Sequence, residues 1–422
     1  MKTILYTIAL SVILGGCNSM SQQTNNVKAP KEDSVRKVSL NIGKLSAKEY
    51  LYYHDLVQKH FESQLLHRGF NGGVLVAKNG VVVYEDYQGF RDLRVKDSLT
   101  AETPMHIASA SKTFTGMAVM QLVQQGKINL DDELGKFFPG FPYPGVTVKT
   151  LLNHRSGLPN YVHYLENLHW DKTKMVTNQD VLNSLFTLKP NKEAFPDRRF
   201  SYSNTNYALL ALIIEKVTGE AYPAYMKKTI FDPLGMKDTY VATPADSARL
   251  TPSFDARGRV WRPDFLDQTY GDKNIYSTPR DLLKWDIAMS GGQIINQQMT
   301  DLAYTPYSNE RPSVHNYGLG WRLLMLKNGK KIVYHNGRWH GTNAAFARLQ
   351  SEKATIIIIG NRYNSNIYSS AKKAYDLFGD YIQDGSDDDE ERLTGSEEKA
   401  ESSTSVQSLA TISAISPIAR KK

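Results

Sequence analysis

The chain has 422 residues, of which 41% are hydrophobic and 22% are charged, and its formal net charge is +8. This composition is typical of a globular protein and excludes a collagen-like or wholly disordered chain. The single cysteine excludes an intramolecular disulfide and a cysteine metal cluster. Basic residues are not interleaved with aromatic ones, so we expect no nucleic-acid partner.

The N-terminus has the pattern of a bacterial export signal. Lys2 precedes a short apolar run, Ile4 to Leu14, and the stretch "LGGC" ends in Cys17. A run this short predicts a signal peptide over residues 1–16 rather than a transmembrane helix. "LGGC" resembles a lipobox, whose cysteine becomes a lipidated N-terminus, so we expect a lipid-anchored protein of the cell envelope. The alternative is that Cys17 is an ordinary small residue near a cleavage site.

Both ends of the mature chain are polar and poor in aromatic residues. We expect residues 17–44 to form a flexible tether and residues 384–422 to form a disordered, acidic, serine-rich tail. Residues 45–383 contain no convincing linker and are predicted to fold as one domain. The oligomeric state and the role of the tail stay open.

Strand patterns occur near both ends of this domain. Asn79-Gly80 separates two β-branched runs and is a strong hairpin signal. Three further strand patterns, "KKIVYH", "NAAFARLQ" and "KATIIIIGN", follow late in the chain, and Ile356 to Ile359 is typical of a strand buried on both faces. A C-terminal helix is then predicted from apolar residues at helical spacing, namely Ile367, Ala371, Ala374, Phe378 and Tyr381.

The middle of the chain is mainly helical. Two apolar stripes predict helices that end at Gly126 and Gly219. Strands at both ends with helices between them predict an α+β fold. In this fold one antiparallel sheet is formed from both chain ends and flanked by helices, with a large helical region inserted.

Ser109 and Lys112, in "MHIASASKTFTG", are the first candidate catalytic residues. Their spacing places them on one face of a helix, where a lysine amine can accept the proton of a serine hydroxyl. The spacing alone is weak, because four other pairs match it: Ser34/Lys37, Ser369/Lys372, Ser370/Lys373 and Ser396/Lys399. Only Ser109 stands at the head of a strongly apolar helix, which favours a nucleophile there over a polar turn.

Two later stretches carry further candidates. In "FSYSNTNYALL", Tyr202 could relay a proton and the Asn204 amide could bind a substrate carbonyl, although Ser203 or Asn204 could instead cap the next helix. In "YHNGRWHG", Gly337 would allow an extended substrate to approach the backbone of an edge strand. His335 in the same stretch could equally be a turn or surface histidine.

Taken in order, "SASK", "YSN" and "HNG" resemble the motifs of the serine β-lactamase-like hydrolases. This family includes class C β-lactamases, D-alanyl-D-alanine carboxypeptidases, esterases and D-amino-acid peptidases. "LLNHRSGLPNY" at 151–161, "STPRDLLKW" at 277–285 and "YGLGW" at 317–321 also resemble family sequences. The resemblance covers about residues 45–383 and implies a β-lactamase/transpeptidase-like fold.

The resemblance also implies roles for individual residues. Ser109 matches the nucleophile that forms an acyl-enzyme, Lys112 matches its proton acceptor, and Tyr202 matches the second general base. The implied substrate-binding residues are Asn204, His335, Asn336, Gly337 and Arg338. The backbone N–H groups of Ser109 and Arg338 match the oxyanion hole.

His335 departs from the family pattern, because class C β-lactamases usually carry a lysine at this place. A histidine is only partly charged near neutral pH. We therefore expect a serine hydrolase acting on an ester or a peptide-like amide, with cell-wall D-peptides among the candidates. One alternative is a true β-lactamase, and another is a non-catalytic envelope lipoprotein that binds peptide or glycan.

We expect no cofactor and no metal. Ten histidines occur, but none shows the HExxH spacing of a zinc hydrolase. The expected partners are a small-molecule or peptide substrate and, through the N-terminal lipid, a bilayer.

Overall fold

The computed structural model describes residues 38–381. The predicted signal peptide, Cys17 and the acidic tail lie outside the described residues. Within residues 38–381, no helix combines the length and the apolar character needed to span a bilayer. The predicted tether enters the described range at residue 38. There the N–H of Val38 donates to the Pro233 carbonyl and that of Gly43 donates to the Asn79 carbonyl, so the chain contacts the domain before residue 45.

Twelve strands and ten α-helices make up the described residues. The strands are β1 Gly72–Lys78, β2 Val81–Gln88, β3 Phe90–Asp92, β4 Asp97–Ser98, β5 Met105–His106, β6 Tyr240–Val241, β7 Ile275–Ser277, β8 His315–Tyr317, β9 Arg322–Met325, β10 Lys331–Trp339, β11 Thr342–Leu349 and β12 Ala354–Gly360. The helices are α1 Ala47–Phe61, α2 Ser111–Gln124, α3 Val148–Leu152, α4 Tyr161–Asn167, α5 Asn178–Thr187, α6 Asn204–Thr218, α7 Tyr222–Met226, α8 Pro279–Ser290, α9 Gln297–Ala303 and α10 Asn366–Lys373. Short 3₁₀ turns include Ala108–Ala110 and Ala374–Leu377.

Seven strands form the main sheet, in the order β2-β1-β12-β11-β10-β9-β8, and all neighbours are antiparallel. Strand β1 pairs along its whole length with β12, from Gly72 opposite Gly360 to Lys78 opposite Ala354. The sheet is therefore formed from both ends of the domain, as predicted. Asn79 and Gly80 both have positive φ, 55° and 75°, which is the turn geometry that the hairpin between β1 and β2 requires.

The sheet is buried on both faces. Along β12, Ile356 and Ile358 pack in a core that contains residues of α1 and α10, while Ile357 and Ile359 pack in the core that contains α2 and α8. All four isoleucines are fully buried, which confirms the predicted two-sided strand. The second core extends into the helical region and contains the elements that carry the candidate site.

Helix boundaries follow the glycine signals but differ at the C-terminus. Helix α6 ends at Gly219, which has a φ of +72°, as a left-handed cap should. The C-terminal helix is shorter than predicted, because α10 ends at Lys373 and tightens into a 3₁₀ turn. The N–H of Phe378 then donates to the carbonyl of Tyr375, three residues earlier. Tyr381 is buried beyond the helix, so its apolar spacing reflects packing rather than helical continuation.

Candidate active site

Ser109 lies in a sharp turn between β5 and α2. The preceding residue, Ala108, has a φ of +48°, a left-handed conformation that residues with a Cβ adopt rarely. Ala108–Ala110 form a 3₁₀ turn that leads directly into α2 at Ser111. This turn puts Ser109 just ahead of the first helical turn, where Lys112 lies.

The amine of Lys112 is the centre of the site. The side chain is fully buried. Its Nζ lies 3.0 Å from the Ser109 Oγ, 2.7 Å from the Asn204 Oδ1 and 2.9 Å from the backbone carbonyl of Asp272. The Nζ donates to the two carbonyl oxygens, and its contact with Ser109 holds the amine at hydrogen-bond distance from the serine hydroxyl.

Tyr202 and Asn204 reach this amine from the start of α6. The Lys112 Nζ lies 5.0 Å from the centroid of the Tyr202 ring. Ser203 occupies the N-cap position, but its hydroxyl donates to the Pro159 carbonyl and makes no capping bond. Because the Asn204 side chain also bonds outside its helix, the capping alternative does not describe either residue.

The ring of His154 packs against the ring of Tyr202. The sequence had indicated no role for His154. Its ring stacks on the Tyr202 ring with centroids 4.2 Å apart. Its Nδ1 accepts from the Ser203 N–H at 3.2 Å and from the Asn206 amide at 3.1 Å. The pKa of His154 lies well below its usual value, mainly because the ring is buried and secondly because of the charge of Lys112. The only sequence signal for this residue was its place in "LLNHRSGLPNY".

The third motif, "HNG" at residues 335–337, lies on strand β10, which passes next to Ser109. A Cβ added to Gly337 would lie 2.2 Å from the Ile107 carbonyl oxygen and 3.1 Å from the Ser109 nitrogen, so only glycine allows this approach. Side chains alternate along a strand, so Asn336 and Arg338 point to the opposite face of the sheet. The structure therefore brings the backbone of these two residues, but not their side chains, to the nucleophile.

His335 is buried and fully engaged rather than a surface residue. Its Nδ1 lies 2.6 Å from the carbonyl of Asn336, so this nitrogen carries the proton. Its Nε2 then accepts from the Tyr317 hydroxyl at 3.0 Å. Burial, followed by the charges of Arg322 and Lys112, places the pKa of His335 well below its usual value. The neutral ring supplies no positive charge to the site.

One edge of β10 is open beside the nucleophile. Strand β9 pairs with β10 only from Lys331 to Tyr334, whereas β11 pairs with it from Val333 to Trp339. From residue 335 to residue 339, no described strand occupies the edge on the β9 side.

A buried ion pair fixes the carbonyl that bonds Lys112. The Asp272 carboxylate accepts from the Tyr161 hydroxyl at 2.7 Å and lies 3.4 Å from the Lys273 Nζ. The Lys273 amine also bonds Tyr161 and Thr269, and both charged residues are buried. Removing one member of such a pair is costly, so the backbone at Asp272 is held firmly. No sequence motif could indicate the Asp272 carbonyl as part of the site, because every residue has a backbone carbonyl.

Asp264, Asp267 and His340 form the one cluster within residues 38–381 whose ligand atoms lie close enough to hold a metal. The Asp267 carboxylate, however, already accepts from the Trp339 indole at 2.7 Å and lies 2.9 Å from the His340 Nε2. The cluster therefore joins a loop to the turn between β10 and β11.

The chain is similar in sequence and in fold to known proteins. Residues 57–378 match the protein family described as Beta-lactamase. Penicillin-binding protein 4* of Bacillus subtilis (strain 168) is 31% identical over 335 residues, covering 75% of this chain and 73% of that protein. The octameric penicillin-binding protein homologue from Pyrococcus abyssi has a TM-score of 0.65 and 26% identity, covering 77% of this chain and 76% of that one. The D-amino acid amidase from Ochrobactrum anthropi SV3 has a TM-score of 0.60 and 26% identity, covering 76% of this chain and 95% of that one.

Replacing Gly337 by alanine should disrupt the contact between β10 and the nucleophile turn. The new Cβ would overlap the Ile107 carbonyl, and both are backbone-bound groups that cannot swing away. We expect the free energy of unfolding to fall by roughly 1–3 kcal/mol, as for other overpacked sites. Labelling of Ser109 by an active-site probe should also decrease. The control is Gly135→Ala, where a Cβ meets nothing within 4 Å. Equal stability and labelling in the two variants would contradict the contact.

The stability of the domain should depend on pH through His335. Its pKa is lower in the folded state than the ordinary value of about 6.5, so the unfolded state binds the extra proton first. As pH falls below about 6.5, this histidine should reduce the free energy of unfolding by up to about 1.4 kcal/mol per pH unit. Denaturation of His335→Gln between pH 7 and pH 5 should show a shallower slope than the wild type. Identical slopes for wild type and His335→Gln would refute the assignment.

Proposed function

The chain belongs to the Beta-lactamase family, and we propose that it is a serine hydrolase that works through an acyl-enzyme on Ser109. The observation that carries this proposal is the buried Lys112 amine, 3.0 Å from the Ser109 hydroxyl. Its Nζ also donates to carbonyl oxygens of Asn204 and Asp272, which carry no charge. No other Ser–Lys pair of this spacing in residues 38–381 is buried: Ser369 is exposed, and Lys373, the partner of Ser370, is exposed.

Acylation begins with proton transfer from Ser109 to Lys112. As the serine oxygen attacks the substrate carbonyl, its proton moves to the lone pair of the Lys112 Nζ. The two remaining N–H groups stay bonded to Asn204 and to the Asp272 carbonyl. Because these acceptors are already in place, the amine need not reorient as the bond forms.

Tyr202 then donates its phenol proton to the leaving group. Once protonated, the Lys112 ammonium lies 5.0 Å from the Tyr202 ring and stabilises negative charge on the phenol. Stacking on His154 fixes the ring plane. In the second half-reaction the resulting phenolate accepts a proton from the water that hydrolyses the acyl-enzyme, and Lys112 returns its proton to the departing serine oxygen.

The backbone at two positions stabilises the oxyanion. We assign this role to the N–H groups of Ser109 and Arg338, since Gly337 brings the strand against the nucleophile turn. The Oδ1 of Asn204 is bonded to Lys112, so its amide N–H₂ is oriented to donate to a substrate carbonyl. Arg338 acts here through its backbone, in keeping with a side chain on the far face.

We further propose that the substrate is a peptide-like amide ending in a carboxylate, with cell-wall D-peptides as the first candidates. His335 is neutral, so it cannot pair with a carboxylate as a lysine would. Arg322 supplies a positive charge instead, with its guanidinium 5.3 Å from the Tyr202 ring centroid. The names of two relatives, a penicillin-binding protein and a D-amino acid amidase, are in keeping with this class.

Ser109 should be the residue that a fluorophosphonate labels on the folded protein. Intact-mass analysis should show one adduct on the wild type and none on Ser109→Ala, because the Ser109 hydroxyl is the serine hydroxyl that bonds the buried Lys112 amine. The control is Ser369→Ala, which removes an exposed serine of identical spacing to a lysine and should label fully. A wild type without an adduct would favour the non-catalytic binding alternative.

A substrate panel should separate the hydrolase types. We expect turnover of D-alanyl-D-alanine peptides to exceed that of nitrocefin and of short acyl esters lacking a carboxylate. Arg322→Gln should raise the KM for the D-peptide more than that for the ester, because only the former carries the charge that the guanidinium binds. Nitrocefin turned over faster than the D-peptide would establish the β-lactamase alternative, and ester preference would establish an esterase.

We propose that the protein is held at the cell envelope by a lipid on Cys17, as "LGGC" indicates. One acyl chain gives only marginal binding, whereas several give a stable anchor, at about 0.8 kcal/mol per buried CH₂. Metabolic labelling with a fatty acid should mark the wild type in bacterial membranes and should fail with Cys17→Ser. Unlabelled protein that still sediments with membranes would disprove the lipid anchor.

A further inference from the structure

His106 joins two unusual backbone positions on either side of the catalytic centre. It is the last residue of β5, and only 6% of its surface is exposed. Its Nδ1 lies 3.2 Å from the backbone nitrogen of Ala108. Its Nε2 lies 3.1 Å from the Oδ1 of Asn274, a residue distant in sequence. One imidazole ring thus bridges the nucleophile turn and the segment before β7.

The protonation of this ring follows from its partners. The Ala108 N–H can only donate, so Nδ1 is the acceptor, and the proton of the neutral ring is on Nε2. Nε2 then donates to Asn274, whose amide nitrogen donates to the carbonyls of Asp267 and Thr269. Burial lowers the pKa of His106 to about 4, in keeping with a neutral ring. Each bond in this chain therefore has a defined direction.

Both residues that the ring holds have conformations unfavourable for a side chain. Ala108 has a φ of +48° and immediately precedes Ser109. Asn274 has a φ of +70° and follows Asp272, whose carbonyl accepts from Lys112. The nucleophile thus adjoins a left-handed residue that His106 bonds directly, and the acceptor of its base lies two residues before another. A loss of either bond would free the adjoining backbone to relax toward negative φ.

We propose that His106 is a positioning residue that sets Ser109 and the carbonyl acceptor of Lys112 in register by bonding Ala108 and Asn274. The proposal rests on the acyl-enzyme mechanism proposed above. His106 itself touches no reacting atom and transfers no proton. Its action is to keep the serine oxygen and the lysine amine at their productive separation.

A packing role is the competing explanation. The ring also contacts the edge of Tyr276, with centroids 5.1 Å apart, which a non-polar ring would do equally well. His106→Phe keeps an aromatic ring and removes both hydrogen bonds. His106→Asn places an oxygen near the position of Nδ1, where it can accept the N–H two residues ahead, as asparagine does in turns. The two variants therefore separate ring packing from the bond to Ala108.

The test measures the rate constant for fluorophosphonate labelling of Ser109 in folded protein. We expect His106→Phe to lower it at least tenfold and His106→Asn to retain at least threefold more than His106→Phe. Ala108→Gly alone should label near the wild-type rate, since glycine adopts positive φ without strain. Added to His106→Phe, it should recover the rate several-fold, because the turn then needs no bond to hold it. A role in packing alone would give no such recovery.

The outcomes distinguish this proposal from the mechanism on which it rests. If the wild type is never labelled, the acyl-enzyme mechanism itself is refuted. If the wild type is labelled and folded His106→Phe is labelled equally fast, the positioning role is overturned. Equal rates for the asparagine and phenylalanine variants, or no recovery with Ala108→Gly, overturn it as well. If His106→Phe does not fold, His106→Leu, which also removes both hydrogen bonds, takes its place in the comparison with and without Ala108→Gly; recovery supports the proposal and its absence overturns it.

Discussion

The buried amine of Lys112 must find polar partners, and this requirement organises the structure around it. An amine removed from water is stable only when each N–H group and lone pair is used. Three of its partners come from the turn before α2, the start of α6 and the segment before β7. These segments lie far apart in the sequence, so the amine has these partners only when the helical region has packed on α2. The same packing brings the serine hydroxyl to hydrogen-bond distance from the amine.

The sheet meets this arrangement from the other side through a glycine. Gly337 lets β10 contact the backbone of the nucleophile turn, and the early end of β9 leaves the adjoining strand edge open. His335 lies two residues before Gly337, and both of its ring nitrogens are hydrogen-bonded, one to the Tyr317 hydroxyl and the other to the Asn336 carbonyl of its own strand. The strand therefore acts through its main chain, while charge in this part of the cleft comes from Arg322.

Local signals in the sequence predicted much of the fold and part of the site. Asn79-Gly80 fixed a hairpin because its turn needs positive φ, and four consecutive isoleucines could only be a strand covered on both faces. Ser109 and Lys112 share a helix face, so their contact followed from spacing and context.

Contacts between distant segments could not be predicted from the sequence, and the reasons are physical. A carbonyl such as that of Asp272 has no residue signature, and the stacking of His154 on Tyr202 depends on how distant segments pack. Asn336 and Arg338 were grouped with their neighbours by motif, although strand alternation already places their side chains on the far face. The helix predicted to reach Tyr381 stopped early because apolar spacing reports burial as well as helical turns.

The pairing of β1 with β12 has a consequence for synthesis. The first strands of the domain emerge early from the ribosome, yet their central neighbour is among the last segments to be made. Until then β1 presents a bare, apolar edge, and β11 lacks its partner on one side. Such late, non-local pairing slows folding and leaves the incomplete chain prone to associate with others. A chain cut short before residue 354 would hold the serine and the lysine but would lack β12, the strand that joins β1 to β11, so its sheet would be divided in two.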